Sequence, residues 1–428
     1  DCFASLAPYC PPPARMRGQD PTQAEPRRLS LLPVYVTVFL DLLGFGIILP
    51  LLPFYAERFG ATGLWIGAIV AAYSATQFIG APILGRVSDR VGRRPILLGS
   101  LAGSAVSLFV TGLAVSLPVL LLGRALAGLF GGSIATAQAV IADVTLPKDR
   151  AKYMGFLGAS IGMGFVFGPA LGAFLSRFGF GTAAFAASGL AAANLVLAFF
   201  RLPETRNLTA ATPRSRLTWT NFKDALDHPC VGRILAAMFF SVLAFVAMET
   251  TFALLGERRF GLGPEKLGLV FTYIGIVIVI VQGGLVGRLT ARFGERALAV
   301  SGVLIMSGAL ALLPFVPSAV GALAVVGALA LGQGLASPAQ TSLLSREADA
   351  DEQGGILGVG QSLSAAARGL GPVAAGWLFD RAFFLPYVAG SLLMLLAAWL
   401  LYGISLPAES GEVGPLLAPA HSPHRGES

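Results

Sequence analysis

Twelve apolar runs, each long enough to cross a lipid bilayer as one helix, limit what this chain can fold into. They lie at about 34–55, 64–84, 96–115, 118–141, 154–176, 181–200, 232–255, 266–286, 297–316, 318–343, 354–378 and 384–405. A bilayer's hydrocarbon core takes roughly 20 residues of α-helix. No water is available there for unpaired backbone groups, so the runs are expected to be helices. A soluble chain of 428 residues would form two or three domains, but only 12% of these residues are charged and 55% are hydrophobic. The expected fold class is an all-α polytopic membrane protein.

The net charge of +7 reflects how the loops are distributed rather than a nucleic-acid surface. If successive loops alternate between the two sides of the membrane, one side carries 17 Lys and Arg residues and the other 6. The richer side is expected to be cytoplasmic, with both termini inside. Cys2, Cys10 and Cys230 are too few and too scattered for a disulfide framework or a metal site. Residues 1–30 lack the apolar core of a secretory signal, and what precedes Met16 reads as neither helix nor targeting sequence.

The chain repeats itself. Gly85–Arg94 and Gly287–Arg296 share five of ten residues, two glycines and three arginines, at an offset of 202. Ala137-Gln138 and Ala339-Gln340 match at the same offset, and Gly168-Pro169 and Gly371-Pro372 at one more. The expected organisation is an N-terminal tail (1–33), a six-helix half (34–201), a linker (202–231), a second six-helix half (232–405) and a C-terminal tail (406–428). Residues 217–226 of the linker read as a short interfacial helix anchored by Trp219 and Phe222. Duplicated six-helix halves with a site between them are the architecture of alternating-access carriers. No phosphate-binding loop is present, so an ion gradient or the substrate's own gradient is expected to supply the energy.

Between the second and third runs, Gly85-Arg-Val-Ser-Asp89-Arg-Val-Gly92-Arg93-Arg94-Pro95 forms a short, charged connection. Gly85 and Gly92 permit a sharp backbone path, and Pro95 suits the first turn of the next helix. This stretch resembles the signature loop of the major facilitator superfamily, with Val87 where the pattern usually has Leu. The resemblance extends over about residues 34–405. In the first run, Asp41, Gly44, Gly46, Pro50 and Pro53 resemble the helix 1 motif of the drug:proton antiporter branch; in the fourth, Gly123-Arg124 through Gly132 resembles the motif whose arginine is implicated in proton coupling. Gly162, Gly168, Pro169 and Gly172 in the fifth resemble the antiporter motif, with Ala173 replacing its second glycine. The connection from Asp143 to Gly155 is most similar to the tetracycline-efflux group, and Asp143 is placed to pair with Arg93 beside Asp89. Such a cluster is expected to hold the cytoplasmic side shut and to break as the halves rock. In the second copy, Ala291 replaces Asp89.

Ionisable residues within membrane spans are costly and mark functional positions. Asp41, Arg124, Glu249 and Arg368 are the candidates for proton coupling or gating, each with a structural hydrogen bond or ion pair as the alternative. A carboxylate removed from water resists ionisation, and no span contains histidine, so Asp41 and Glu249 are the expected proton carriers. The tetracycline–metal exporters carry a histidine in helix 8 and an aspartate in helix 9, whereas 274–282 and 302–308 here have no ionisable side chain. Substrate contacts are expected from Tyr73, Gln77, Gln138, Gln282, Gln333, Gln340 and Gln361, beside Phe239, Phe240, Phe245 and Phe271. Few polar groups in an apolar cavity suit small lipophilic or amphipathic compounds, and the resemblance to the drug:proton antiporter branch implies that they are exported in exchange for protons. A sugar, amino-acid or organic-anion carrier, or an uncoupled facilitator, is the alternative, and Arg124 with Arg368 favours anions. No catalytic constellation, cofactor motif or metal site is legible. The resemblance implies that a monomer suffices.

Overall fold

The computed structural model describes residues 31–145, 147–205, 229–347 and 353–403, so both tails and the expected linker helix lie outside the described residues. Ten stretches among the described residues are long and apolar enough to cross a membrane. The longest, Pro264–Phe315, has 52 residues but is not one helix: Gly294, at φ 78°, interrupts it. Dividing it there and adding Gln353–Arg381 gives twelve long helices. They are α1 (Leu32–Arg58), α2 (Gly63–Val91), α3 (Arg93–Gly112), α4 (Leu117–Val144), α5 (Pro147–Ser176) and α6 (Phe180–Arg201). The second half comprises α7 (Pro229–Phe260), α8 (264–293), α9 (295–312), α10 (Ala319–Arg346), α11 (Gln353–Arg381) and α12 (Leu385–Tyr402). At the start of α7, Cys230 is buried.

The helices are interrupted where the sequence cannot sustain a regular ladder. α1 breaks at Leu49–Leu51 around Pro50, and α4 breaks at Phe130–Gly132. α8 passes through a π-helical turn at Val281–Leu285 that holds Gly283 and Gly284. The connection expected over 85–95 is much tighter than the sequence indicates. α2 stays helical to Val91, including Gly85, and the single residue Gly92, at φ 116°, makes the turn into α3. A positive φ of this size is open to glycine and closed to most other residues.

The duplication is visible in the backbone and in the side chains. Gly92 and Gly294 both adopt positive φ at equivalent turns. Two residues on, Arg94 donates to the Phe199 carbonyl at 2.6 Å and lies 5.4 Å from that ring's centroid. Arg296 likewise donates to the Tyr402 carbonyl and lies 5.3 Å from the Tyr402 ring. Each arginine therefore ties the start of its half's third helix to the end of its sixth.

The end of the bundle with the Gly92 and Gly294 turns is here called the basic face, and the other end the far face. α2 and α5 of the first half pack on α11 and α8 of the second. At the far face this packing is backbone against backbone: Gly63 and Gly67 meet Gly376 and Pro372, and Gly268 meets Pro169 and Ala173. Both Asp380 carboxylate oxygens accept from the start of α2, from Gly63 N at 2.7 Å and Leu64 N at 2.9 Å. Glu57 pairs with Arg258 at 3.2 Å, and Arg177 with Glu265. Toward the basic face, Gly85, Gly155, Gly158, Gly283, Gly284, Gly287 and Gly369 on the same four helices face open space. The halves thus converge at the far face and part toward the basic one.

Candidate functional site

Asp41 sits on α1 beside the α4 break. The Ser133 hydroxyl, first residue after that break, donates to Asp41 Oδ2 at 2.5 Å, and Ser104 of α3 flanks the carboxylate. The break is also tied to α2, because Gln77 Nε2 donates to the Gly131 carbonyl at 2.8 Å and lies 3.2 Å from the Tyr73 hydroxyl. Gln77, one of the expected substrate ligands, is therefore engaged in holding α2 on α4.

Arg124, on the first segment of α4, is 3% exposed. Its guanidinium lies 4.9 Å from the Tyr73 ring centroid and 5.2 Å from that of Phe45. It makes no ion pair among the described residues, and its Nε is buried without a hydrogen-bond partner. The aromatic faces attract the cation, yet the five N–H donors still need acceptors. Tyr73 feels the charges of Asp41, Arg124 and Arg368, which places it where the two halves' ionisable groups meet.

On the other side, Glu249 lies partly exposed near the middle of α7. It lines a small cleft with Leu49, Pro50 and Pro53 at the α1 break, Val70 of α2, Thr250, Ala253 and Phe271. Arg368 of α11 is exposed, on the helix that departs from α2 toward the basic face. Glu249 and Arg368 interact electrostatically without forming an ion pair within 4.0 Å. Of the four candidates, Glu249 and Arg368 act on one another, Asp41 is held by Ser133, and Arg124 lies against the Tyr73 and Phe45 rings.

The remaining expected ligands are dispersed. Gln340 is buried and donates to the Ser241 hydroxyl at 3.0 Å, a helix-to-helix bond. Gln138, Gln282 and Gln361 are exposed and Gln333 is half-buried, and no described contact brings them to Arg124 or Glu249. Phe271 joins the cleft, while Phe239 and Phe240 pair edge to face at 5.6 Å and Phe245 packs on the core.

At the basic face, Arg93 is 8% exposed and reaches three acceptors: Asp89 at 2.9 Å, Asp143 at 2.9 Å and the Ser88 hydroxyl at 2.7 Å. The pairing expected from the sequence is formed, but all four residues belong to the first half, and the ion pairs persist although the halves part at this face. Glu204, which sequence reasoning passed over, accepts from Arg93 N at 2.9 Å and Arg94 N at 3.1 Å and so caps α3. In the second half Glu295 occupies Arg93's place in the repeat and accepts from Arg346 at 2.6 Å and Ser342 at 2.7 Å, so the polarity of the pair is reversed.

The glycines of α5 serve close packing. A Cβ on Gly168 would lie 2.7 Å from the Gly46 Cα of α1, and one on Gly164 would lie 2.6 Å from Leu42 Cβ. Gly172 abuts the Ile47 carbonyl, whereas Gly162 faces Val279 of α8. Pro169 turns its carbonyl toward Gly268 of α8, so α5 lies between its own half and the other.

The sequence profile of the Major Facilitator Superfamily matches residues 34–372. The chain belongs to this superfamily. Superfamily relatives include the class C tetracycline resistance protein of Escherichia coli, 31% identical over 80% of this chain and 88% of that protein. Multidrug resistance protein 1 of Bacillus subtilis is 32% identical over 83% of this chain and 91% of its own length. Among solved superfamily structures, that of the human organic anion transporter MFSD10 (TETRAN) aligns with a TM-score of 0.68 and 26% identity, covering 87% of this chain and 98% of that one. As a superfamily member the chain is a multi-pass membrane transporter and not an enzyme.

Proposed function

We propose that this transporter moves small lipophilic or amphipathic organic compounds by alternating access, exporting them in exchange for protons. The carrying observation is Glu249, a carboxylate in an apolar span that opens to the cleft at the α1 break and faces Arg368 without an ion pair. A carboxylate so placed holds a proton or a cationic substrate, not both, and that exclusion is the basis of exchange. Asp41, held by Ser133 at the α4 break, is the second proton carrier. With the basic face cytoplasmic and both termini inside the cell membrane, the arrangement closed at the far face is the inward-open stage. Rocking then proceeds at the α2–α11 and α5–α8 contacts. The resistance-protein relatives support an organic cargo, while the absence of ionisable residues in 274–282 and 302–308 disfavours a tetracycline–metal complex.

A second reading, an organic-anion carrier, is favoured by Arg124, which is buried without a counter-ion. The similarity to the human organic anion transporter supports it as well.

The test uses everted membrane vesicles containing the protein, energised by respiration and loaded with a pH-sensitive dye. Lipophilic compounds are added one at a time. Proton release from the lumen on adding a compound, lost in both Asp41→Asn and Glu249→Gln, is the expected result. Silence across a broad panel, from protein verified as inserted, would overturn proton exchange and leave an uncoupled or metabolite carrier.

A further inference from the structure

We infer that the basic-face end of α12 is a binding site for the phosphate headgroup of an anionic phospholipid, held by Arg233 and Arg296. The site lies on the outside of the second half and is independent of what the transporter carries.

Two helices bring the arginines to one place. Arg233, in the first turns of α7, donates to the Gly403 carbonyl at 2.6 Å. Arg296, at the start of α9, donates to the adjacent Tyr402 carbonyl, and its guanidinium lies 5.3 Å from the Tyr402 ring centroid. Gly403 keeps the space for Arg233 clear, since a Cβ there would lie 3.0 Å from Nη1.

Neither arginine makes an ion pair among the described residues. The last carbonyls of an α-helix lack intrahelical partners, and a helix C-terminus carries about half a negative charge. One guanidinium is enough to balance that charge, so two leave the end of α12 positive. A guanidinium has five donors, and each of these is engaged with a carbonyl at one nitrogen. Phosphate oxygens suit the donors that remain, because they accept paired, charge-assisted bonds.

The adjoining surface selects a lipid over a free anion. Leu392, Leu395, Trp399 and Tyr402 are all exposed, Trp399 and Tyr402 by 67% and 71%. Their alternating spacing of three and four residues places them on one side of α12. The stripe runs from within the span to the arginines and ends in Trp and Tyr, the residues that sit at headgroup level. An acyl chain along it leaves its phosphate at the two guanidiniums. Basic pockets between spanning helices take anionic headgroups in this way.

The first half shows why the site belongs to the second. There Arg94 reaches the Phe199 carbonyl as Arg296 reaches that of Tyr402, but Glu204 accepts from Arg93 N at 2.9 Å and Arg94 N at 3.1 Å. A carboxylate thus already occupies that end and repels phosphate.

The test is native mass spectrometry of the whole protein in detergent, titrated with phosphatidylglycerol and with phosphatidylcholine of the same chains. Wild type is expected to retain one phosphatidylglycerol about tenfold or more tighter than phosphatidylcholine. Arg233→Gln and Arg296→Gln should each lower that preference about fivefold, and Arg233→Lys, which keeps the charge, should lower it less. Arg292→Gln removes an exposed arginine of the same face and should leave the preference intact. Equal retention of the two lipids by wild type overturns the site, whether or not any variant folds. An equal loss in Arg292→Gln overturns it in favour of diffuse attraction to the whole face. Displacement of the lipid by millimolar inorganic phosphate overturns the lipid as the ligand. Glu409 and Glu412 follow α12 in the sequence. If the double variant Glu409→Gln, Glu412→Gln retains phosphatidylglycerol about fivefold or more tighter than wild type, the tail is the occupant and the lipid is overturned.

Discussion

Arg124 shows how a single charge is accommodated in a membrane-spanning helix. A charged residue at the centre of a span costs about 2.5–3.5 kcal/mol by insertion scales. The Tyr73 and Phe45 faces can offset about 0.5–2 kcal/mol each, so both rings are needed to approach balance. Replacing Phe45 with Leu is therefore expected to lower stability by about 1–2 kcal/mol, read as a lower melting temperature in detergent. The Arg93 cluster is a different case, since its guanidinium is buried and paired with two carboxylates. Asp89→Asn is expected to abolish transport while leaving a folded, inserted protein, because Asp143 and Ser88 still hold Arg93. The check is vesicle transport beside size-exclusion chromatography; full transport would remove the cluster from the mechanism.

At the scale of the helix, glycine and proline decide where two helices meet and where one bends. Gly46 and Gly168 bring α1 and α5 into backbone contact, and neither accepts a Cβ without movement. Gly168→Leu is expected to cost about 1–3 kcal/mol through overpacking, seen as lower folded yield and an earlier thermal transition. Gly158→Leu, on the same helix but facing open space, should be nearly silent in the same assay. The α1 and α4 breaks place Pro50 in the Glu249 cleft and Ser133 on Asp41. The irregular backbone thus lies beside the ionisable residues, as expected where it lines a cavity rather than lipid.

At the scale of the molecule, the far face is expected to act as a latch between halves. Asp380 caps the α2 N-terminus from the opposite half, and a carboxylate there adds to its hydrogen bonds the attraction of the helix dipole. A side chain at Gly67 would run into Pro372. Gly67→Trp is expected to prop the far face open and Asp380→Ala to loosen it. Maleimide labelling of a cysteine placed at Leu64 should rise several-fold in the first and less in the second, and unchanged labelling in both would count against a latch. Much of this was legible from residue pattern. The spans follow from hydropathy, the duplication from the shared Gly-Arg spacing, and the Asp89–Arg93–Asp143 cluster from its charges. Gln340 and Gln77 were not readable as helix ties, because a lone polar residue on an apolar helix looks the same whether it meets a neighbour or a ligand.

The sequence by itself determined the fold class, the superfamily and the identity of the ionisable residues within the spans. Long apolar runs have no alternative to helices in lipid, and charges survive there only where something receives them. Only the tertiary structure decided which of those charges are met. Asp41 finds Ser133 within its own half, Arg124 finds rings and no acid, and Glu249 is acted on by Arg368 without forming an ion pair with it. It also showed that Glu204 and Asp380, unremarkable in the sequence, cap helices from a distance of more than a hundred residues. The physical reason is common to all five: hydropathy and spacing depend on neighbours along the chain, whereas the partner of a charged side chain is set by how separate helices lie against one another.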